Sequence, residues 1–206
     1  MRLEKIEPVG DDRFRLLFEG GGSLSCGPGE LVDFGLRSGL DLDEAAYERL
    51  EAACVYYLVR LRAAALAAGR AMSGGELRRK LTEKGASEQD AQRAADWLTE
   101  LGVLDEEAYA RMVVRHYAAK GYGRRRVENE LYRHRVPRDL WQAALAALPD
   151  PADSLDALVA ARLRGRTADP DTLRRLAASL CRRGYAWEAV RAAIRRHGGD
   201  EQNIEE

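Results

Sequence analysis

The stretch LDEEAYARMVVRHYAAKGYGRRRVENELYRHRVPRDLWQAALAAL, residues 104–148, contains a complete helical unit and the strongest excess of one charge in the chain. Asp105 stands directly before a run with apolar periodicity. Glu106 and Glu107 follow it, where carboxylates suit the unpaired amides of a helix start. Spacings of three and four residues predict one apolar helix face, made of Tyr109, Met112, Val113, His116 and Tyr117. The first helix of the unit therefore begins at Asp105.

Two more helices complete the unit. Glycine tolerates the left-handed conformation that closes a helix, so Gly121 ends the first helix and Gly123 caps the second. Val127 and Leu131 supply the apolar stripe of that second helix. Pro137 suits the first turn of a third helix, where no amide partner is needed. The inward positions of the third helix are Leu140, Trp141, Ala144, Leu145 and Leu148.

The three-helix pattern recurs at a period of 49 or 50 residues, which indicates a tandem repeat array. The matched positions are Leu77, Leu81, Gly85 and Ala95, then Val127, Leu131, Arg135 and Leu145, then Leu176, Leu180, Gly184 and Ile194. The first helix also fits, with Leu50, Cys54, Tyr57, Leu58, Leu61 and Ala65 in the first copy and Leu155, Leu158, Val159 and Leu163 in the third. We predict a mainly α-helical protein of three tandem three-helix repeats in an elongated curved array.

A small β extension precedes the repeats. Phe14, Leu16 and Phe18 occupy alternate positions between two glycine turns, which predicts a β-hairpin or a three-stranded sheet. This sheet either covers the first repeat or gives a partner an added contact surface. The predicted parts of the chain are the β extension (1–27), the first repeat with a preceding short helix (28–103), the second repeat (104–149), the third repeat (150–197) and a disordered acidic tail (198–206). Pro149 and Pro151 mark the expected hinge between the last two repeats.

Bulk composition narrows the class of protein. The formal net charge is −1 with 33% charged residues, and we expect no apolar run to approach the length of a membrane span, so the sequence predicts a cytoplasmic monomer that does not bind membranes. Cys26, Cys54 and Cys181 are odd in number and lack C-x-x-C spacing. We therefore expect neither a disulfide framework nor a zinc site, and interpret Cys54 and Cys181 as small buried hydrophobes.

Catalytic motifs are absent from the sequence. His116, His134 and His197 stand in separate predicted helices, and no H-E-x-x-H motif, nucleophile elbow or glycine-rich nucleotide fingerprint occurs. His116, on an apolar face, is interpreted as a core side chain. We expect no enzymatic activity, no cofactor and no metal ion.

Positive charge is concentrated in the central repeat. Residues 111–149 contain nine basic and three acidic residues, a net charge of +6, and arginine strongly outnumbers lysine. The planar guanidinium group suits bidentate contacts with phosphate or carboxylate. Arg124, Arg125 and Arg126 crowd a first helical turn where the helix dipole disfavours cations, and a docked phosphate or acidic partner would relieve that repulsion.

Three segments carry a resemblance to a known family. They are Glu76-Leu77 with Leu81 and Lys84-Gly85, then Gly102-Val103-Leu104-Asp105 with Tyr109-Ala110, then Gly121-Tyr122-Gly123 with Arg126-Val127 and Glu130-Leu131. In this order and spacing, over roughly residues 28–197, the chain resembles the RecX regulators of bacterial RecA recombinase. Tyr109 stands where phenylalanine is usual, and Arg135 stands where the second repeat often has glycine.

The resemblance implies a role in homologous recombination, DNA repair and the SOS response. Such proteins lodge along the RecA filament on single-stranded DNA and restrain its ATPase, strand exchange and coprotease activities. The candidate contacts with DNA or RecA are Arg111, Arg115, Lys120, Arg124, Arg125, Arg126, Arg133 and Arg135, with a secondary basic surface of Arg78, Arg79, Arg174, Arg175, Arg182 and Arg183. Two alternatives stay open, a general DNA-binding helical-repeat module and an adaptor that binds only protein.

Overall fold

The computed structural model describes residues 1–10, 12–164 and 169–197, which form a small sheet followed by helices. The strands are β1 (Leu3–Pro8), β2 (Phe14–Phe18) and β3 (Ser23–Cys26). The helices are α1 (Pro28–Asp33), α2 (Glu44–Gly69), α3 (Gly74–Thr82), α4 (Glu88–Glu100), α5 (Glu106–Ala119), α6 (Arg124–Arg133), α7 (Trp141–Leu145), α8 (Pro151–Leu163), α9 (Pro170–Arg182) and α10 (Trp187–Arg196), with a 3₁₀ turn at Arg138–Leu140. The predicted fold class, mainly helical with an N-terminal sheet, is confirmed. The predicted acidic tail lies outside the described residues.

Contacts divide the chain into two compact units. Unit 1 combines Met1–Ala71 with Leu77–Val103, and unit 2 combines Met72–Glu76 with Leu104–Glu206. Unit 1 therefore holds the sheet and most of the first repeat, and unit 2 holds the second and third repeats. The finer boundaries expected from the sequence remain predictions.

In unit 1 the sheet buries its apolar side against α2. The strands pair antiparallel in the order β1-β2-β3, with Leu16 opposite Ile6 and Leu24. Because side chains alternate along a strand, Leu16 and Phe18 point to the same face, and both are buried. They share one apolar cluster with Leu3, Cys26, Leu50 and Cys54. The sheet thus covers the first helix of the repeat, one of the two roles expected for it.

Helix α2 begins after Asp43, whose carboxylate accepts the Ala46 N–H at 2.7 Å. Its buried residues are Leu50, Cys54, Tyr57, Val59 and Ala63. Leu58, Leu61 and Ala65, which the sequence pattern matched to the first helix of the repeat, are exposed. The reason is that α2 packs against both β3 and α4, so its buried face is not one stripe along the whole helix.

Helix α2 is long and apolar enough, by length and composition, to cross a bilayer. Among the described residues it is the single helix that meets this criterion. Arg60 and Arg62 lie inside this helix and interrupt its apolar run. Within unit 1, Arg60 forms an ion pair with Glu30 at 2.9 Å and lies over the Trp97 ring at 5.7 Å, while its helix supplies core residues.

In unit 2 the second repeat packs α5, α6 and α7 around one core. Asp105 caps α5 as predicted, since its carboxylate accepts the Ala108 N–H at 2.7 Å. The core consists of Tyr109, Ala110, Val113, Val114, Val127, Leu131, Val136, Ala144 and Leu145. Met112 and His116 are exposed, which corrects their assignment to the apolar face. Because both α6 and α7 contact α5, its inward face is centred nearer Ala110 and Val114.

The third repeat, formed by α8, α9 and α10, has its own core. Its fully buried residues include Leu155, Val159, Leu173, Val190 and Ile194. The predicted equivalence between repeats is visible in the backbone after each second helix, where Gly85, Arg135 and Gly184 have φ values of +89°, +54° and +92°. An arginine in the second repeat thus adopts the left-handed conformation that glycine adopts in the other two.

The first turn of α6 meets the chain directly after α9. The Gly123 N–H donates to the Arg183 carbonyl at 2.8 Å, and the Arg125 N–H donates to the Gly184 carbonyl at 3.2 Å. A Cβ atom on Gly184 would lie 2.7 Å from Arg126 Cβ, so the two backbones approach as closely as glycine permits. We name this contact the α6–α9 junction. It joins the second repeat to the third through backbone groups.

An equivalent contact occurs where the 72–76 segment of unit 2 meets the end of α6. The Ser73 hydroxyl donates to the His134 carbonyl at 2.5 Å and accepts the Glu76 N–H at 3.0 Å. A Cβ atom on Gly75 would lie 2.7 Å from the Arg135 carbonyl oxygen. Ser73 and His134 stand 50 and 49 residues before Gly123 and Arg183, which make the corresponding contact at the α6–α9 junction.

The three cysteines are free thiols. Cys54 is buried, as expected, and Cys181 is half-buried. Cys26 and Cys54 are adjacent, although they are 28 positions apart in the sequence. A hydrogen bond between the two thiols lowers the pKa of Cys26 and raises that of Cys54. Both thiols lie in the apolar cluster under the sheet.

Candidate nucleic-acid interface

Helix α5 contributes two arginines one turn apart. Arg111 is exposed and forms an ion pair with Glu107 at 3.2 Å, one turn earlier on the same helix. Arg115 is also exposed, and we find no carboxylate partner for it within residues 1–10, 12–164 and 169–197. Because residues four apart share a helix face, Glu107, Arg111 and Arg115 form one row. The free charge of this row lies at its Arg115 end.

Helix α6 carries the densest group of arginines. Arg124 pairs with Glu128 at 2.8 Å, and Arg126 pairs with Glu130 at 2.8 Å. Arg125 is exposed, and none of the described carboxylates pairs with it. The exposed positions 125, 129, 132 and 133 share one face of the helix, and this face extends about 12 Å along the axis.

The positive charge at the start of α6 was expected to be relieved by a docked phosphate or acidic partner, but the protein itself supplies part of that relief. The N–H groups of Gly123 and Arg125 already donate to carbonyls at the α6–α9 junction. Those carbonyls belong to the end of α9, which carries partial negative charge and so offsets the positive end of the α6 dipole. A phosphate is therefore not required to relieve the repulsion. Any anion that binds here would contact guanidinium groups rather than these amides.

Glu130 organises the arginines on its side of α6. Only 3% of the residue is exposed, and its carboxylate also accepts a hydrogen bond from Arg133 at 3.4 Å. Burial raises the pKa of the nearby Tyr117, and the negative charge of Glu130 and a hydrogen bond to it raise this pKa further. A buried carboxylate is stable only when its charge is paired, so Glu130 holds Arg126 and Arg133 in place.

Three cations converge on a pair of tyrosines. The rings of Tyr117 and Tyr122 lie 5.9 Å apart. Lys120 lies over the Tyr117 ring at 5.3 Å, and Arg126 and Arg183 lie over the Tyr122 ring at 5.6 and 5.9 Å. Arg183 also donates to the Lys120 carbonyl at 3.1 Å. The structure thus brings Arg183, from the predicted secondary surface, beside Lys120 and Arg126 of the main one.

A groove with both aromatic and basic walls lies at the end of α6. Its volume is about 490 Å³, and its lining consists of Tyr132, Arg133, Arg135, Val136, Pro137, Arg138 and Trp141. We call it the Tyr132 groove. Tyr132 is 66% exposed, an unusual state for a large aromatic side chain. Three of the seven lining residues are arginines, and none is acidic.

Tyr132, Arg138 and Trp141 were not among the residues predicted to bind a partner. Trp141 was assigned to the core, and it is in fact half-buried, with its indole N–H donating to the Val136 carbonyl at 3.0 Å. A signal was present in the segment YRHRVPRDLW, residues 132–141, where Tyr132 and Trp141 flank three arginines. That combination is typical of surfaces that bind single-stranded nucleic acid.

The predicted secondary surface is distributed over both units. In unit 1, Arg78 donates to the Gln92 side chain and Arg79 pairs with Glu83. In unit 2, Arg174 pairs with Asp171 at 3.1 Å. Arg175 and Arg182 are exposed on α9. Among these six, Arg183 contacts the main set directly, through its hydrogen bond to the Lys120 carbonyl.

Metal chemistry finds no support in the part of the chain that the structure describes. No group of three or more histidine, cysteine, aspartate or glutamate side chains there is arranged to hold a metal ion. His134, for example, contacts the Tyr109 hydroxyl at 3.0 Å and lies 3.7 Å from Glu76, which holds it where the 72–76 segment meets the end of α6. The surface that remains is suited to binding a polyanion.

The proteins that are similar to this chain in sequence share one family name. Residues 105–145 match the family model described as RecX, second three-helix domain. The chain is 37% identical over 137 residues to a protein named regulatory protein RecX from Xanthomonas axonopodis pv. citri, covering 65% of this chain and 84% of that protein. A protein of the same name from Trichlorobacter lovleyi is 35% identical over 142 residues, which cover 66% and 90% of the two chains.

Solved structures agree on the fold. A crystal structure of a regulatory protein RecX superposes with a TM-score of 0.73 at 18% identity, covering 91% of this chain and 96% of that one. The crystal structure of RecX from Lactobacillus salivarius gives a TM-score of 0.62 at 15% identity, with 69% and 96% covered. At these identities the similarity shows a shared fold.

Proposed function

The chain belongs to the RecX family of regulatory proteins, and from this premise we propose that it regulates the recombinase RecA. In this proposal it binds the filament that RecA forms on single-stranded DNA and restrains the filament's ATPase, strand exchange and coprotease activities. It acts in the cytoplasm, as a monomer and without chemistry of its own. RecA and single-stranded DNA are its partners.

The observation that carries the proposal is the charge left free on α5, α6 and the turn that follows. Arg115, Arg125 and Arg135 are exposed, and no carboxylate among the described residues pairs with them. Guanidinium groups contact phosphate and carboxylate in bidentate geometry. The paired arginines, such as Arg124 with Glu128, can exchange an exposed partner of small energetic value for a phosphate. This surface supports binding to a strand of phosphates or to acidic patches of the recombinase.

Binding of this kind depends on salt. Each neutralised phosphate releases a condensed counterion, so the logarithm of the binding constant falls linearly with the logarithm of salt concentration. If about five phosphates are engaged, the slope on single strands is about −3.5. An affinity that does not change with salt would contradict the electrostatic part of the proposal.

The decisive experiment is the single-stranded-DNA-dependent ATPase of RecA from the same organism, titrated with this protein. A decrease well below one copy per RecA supports capping or bridging of the filament. A decrease only near equimolar ratio supports occupancy along the filament. An ATPase rate that stays constant through both ranges refutes the proposed regulation.

A charge-reversal pair tests which surface is responsible. Arg125→Glu places a negative charge on the exposed face of α6, and we expect inhibition to require several-fold more protein. Arg37→Glu is the matched control, because Arg37 is an exposed arginine of unit 1 outside the proposed interface. Equal inhibition curves for the two variants would remove α6 from the interface.

The same reagents separate the two alternatives. A general DNA-binding module binds an oligonucleotide with a steep salt slope but leaves the RecA ATPase unchanged. An adaptor that binds only protein shows no affinity for single-stranded DNA, and Arg125→Glu does not alter its binding. Filament regulation requires both DNA binding and ATPase inhibition, with sensitivity of both to Arg125→Glu.

A further inference from the structure

The Tyr132 groove has features that a phosphate-binding surface alone does not need. Tyr132 is 66% exposed on the end of α6, where a lysine or glutamate would be solvated at lower cost. Arg138 lies over the Trp141 ring at 5.5 Å, so a second aromatic side chain and its cation border the same groove. The buried Val136 gives the groove an apolar floor. An aromatic ring with cations beside it suits a flat, neutral ring that is attached to phosphates.

Only the second repeat carries this combination. At the positions equivalent to Tyr132, the first and third repeats have Thr82 and Cys181. At the positions equivalent to Trp141 they have Ala91 and Val190, both buried. Since the three repeats share one helical plan, the groove is not a requirement of the fold.

Arg135 adds an independent observation. Its φ of +54° lies in the left-handed region, where the equivalent Gly85 and Gly184 carry no steric cost. A non-glycine residue in this conformation is strained, and such strain is concentrated at binding and functional sites. The side chain of this strained residue, Arg135, is exposed and lines the Tyr132 groove.

We propose that the Tyr132 groove is a base-stacking subsite for single-stranded DNA. One nucleobase stacks on the exposed Tyr132 ring, and Arg135 and Arg138 contact the phosphates on either side of it. Arg133 is held by Glu130 at 3.4 Å and completes the basic wall. A paired base must break its pairing and stacking to reach the ring, so the subsite favours single strands over duplex. This inference rests on the proposed binding of single-stranded DNA and assigns the part of that binding that salt does not control.

The test compares Tyr132→Ala with Tyr132→Phe on a labelled oligothymidine of about 16 nucleotides, the upper range of known site sizes for single-strand-binding domains. Loss of one stacked base lowers affinity about 5- to 150-fold, so we expect that decrease for Tyr132→Ala in fluorescence anisotropy. Tyr132→Phe keeps the ring and should bind as the wild type does. Because the side chain is exposed, neither variant should change the melting temperature.

An abasic strand of the same length isolates the stacking contribution. The wild type should bind it more weakly than oligothymidine, whereas Tyr132→Ala should bind both strands equally. The salt slope of Tyr132→Ala should match the wild type, since stacking releases no counterions. Arg135→Gly provides the opposite signature. It should make the salt slope shallower by about 0.7, because one phosphate contact is lost. It should also raise the melting temperature, because the backbone strain is relieved.

The outcomes separate this inference from the proposed function. If the wild type binds oligothymidine with a steep slope but Tyr132→Ala binds equally well, the stacking subsite is refuted and phosphate contacts alone explain binding. If the wild type binds neither strand, the proposed DNA contact fails and the subsite fails with it. Equal affinity of the wild type for the abasic and the base-containing strand also overturns the inference.

Discussion

At the scale of single residues, two glycines at equivalent positions have different surroundings. Gly85 and Gly184 both have a left-handed backbone, with φ near +90°. A Cβ atom on Gly85 would meet nothing within 4 Å, whereas one on Gly184 would lie 2.7 Å from Arg126 Cβ. The first glycine therefore serves only its turn. The second also permits the close approach of α6 at the α6–α9 junction.

These two glycines allow a matched prediction. Gly85→Ala should lower the free energy of unfolding by about 1 to 2 kcal/mol, the cost of a left-handed alanine. Gly184→Ala should lower it by a further 1 to 3 kcal/mol or so, because the methyl group overpacks against Arg126. Denaturant unfolding of the two variants beside the wild type measures the difference. Equal losses would show that the junction yields without cost.

The sequence predicted the turn positions, but it did not predict the close contact of Gly184 with Arg126. The period that aligned Gly85, Arg135 and Gly184 predicted that these three positions are equivalent, and the backbone confirms it. The closeness of Gly184 to Arg126 depends on how two repeats pack, and periodicity within a repeat contains no such information. The same limit explains why the contact between Cys26 and Cys54 was not expected.

At the scale of elements, the start of α5 at Asp105 was predicted correctly, and two other helices begin with the same kind of cap. Asp43, Ser87 and Asp105 each cap a helix, and their side chains accept an N–H three residues later. Capping is local in sequence, so the signal is strong. Exposure was predicted less well for Leu58, Leu61 and Met112, because an apolar residue beside a helix stripe is buried only if a neighbouring element covers it.

Two serine caps yield a prediction at this scale. Ser73 and Ser87 both accept an amide hydrogen at 3.0 Å, but the Ser73 hydroxyl also donates to the His134 carbonyl, and Ser73 is fully buried. Ser87→Ala should cost about 1 kcal/mol of unfolding free energy. Ser73→Ala should cost about 1 to 3 kcal/mol more, since it also removes the hydrogen bond to the partly buried His134 carbonyl. Thermal unfolding of both variants distinguishes the two roles, and a smaller loss for Ser73→Ala would contradict the second hydrogen bond.

At the scale of the whole molecule, charge distribution was more informative than net charge. A formal charge of −1 indicates nothing about nucleic acid, whereas the +6 of residues 111–149 pointed to α5 and α6. Ion pairing was not predictable from counting, and the structure shows that four of the eight main candidates pair with a glutamate of their own helix. The free cations are consequently fewer than the count suggests, and the Tyr132 groove contains one of them.

Buried tyrosines make the stability of the molecule depend on alkaline pH. Burial raises the pKa of Tyr57, Tyr117 and Tyr185 above the ordinary value of 10.0. A phenol with a raised pKa in the folded chain stabilises that chain fully below the unfolded pKa, and this contribution is lost as pH rises through the folded pKa. We therefore expect the melting temperature to decrease from pH 10 upward. The decrease should be smaller in Tyr185→Phe, and an identical pH profile for that variant would contradict the assignment.

The α6–α9 junction separates how the repeats are held together from what their surface displays. Two main-chain hydrogen bonds close it, the Arg183 side chain adds a hydrogen bond to the Lys120 carbonyl, and positions 123 and 184 must carry no side chain. Arg124 and Arg125 stand directly beside it, but the Arg124 side chain pairs with Glu128 of its own helix, and neither side chain forms an ion pair with α9 among the described residues. Substitutions at those two positions can therefore accumulate without disturbing the docking of neighbouring repeats. A lineage could retune which partner the surface prefers, one side chain at a time, while inheriting the scaffold unchanged.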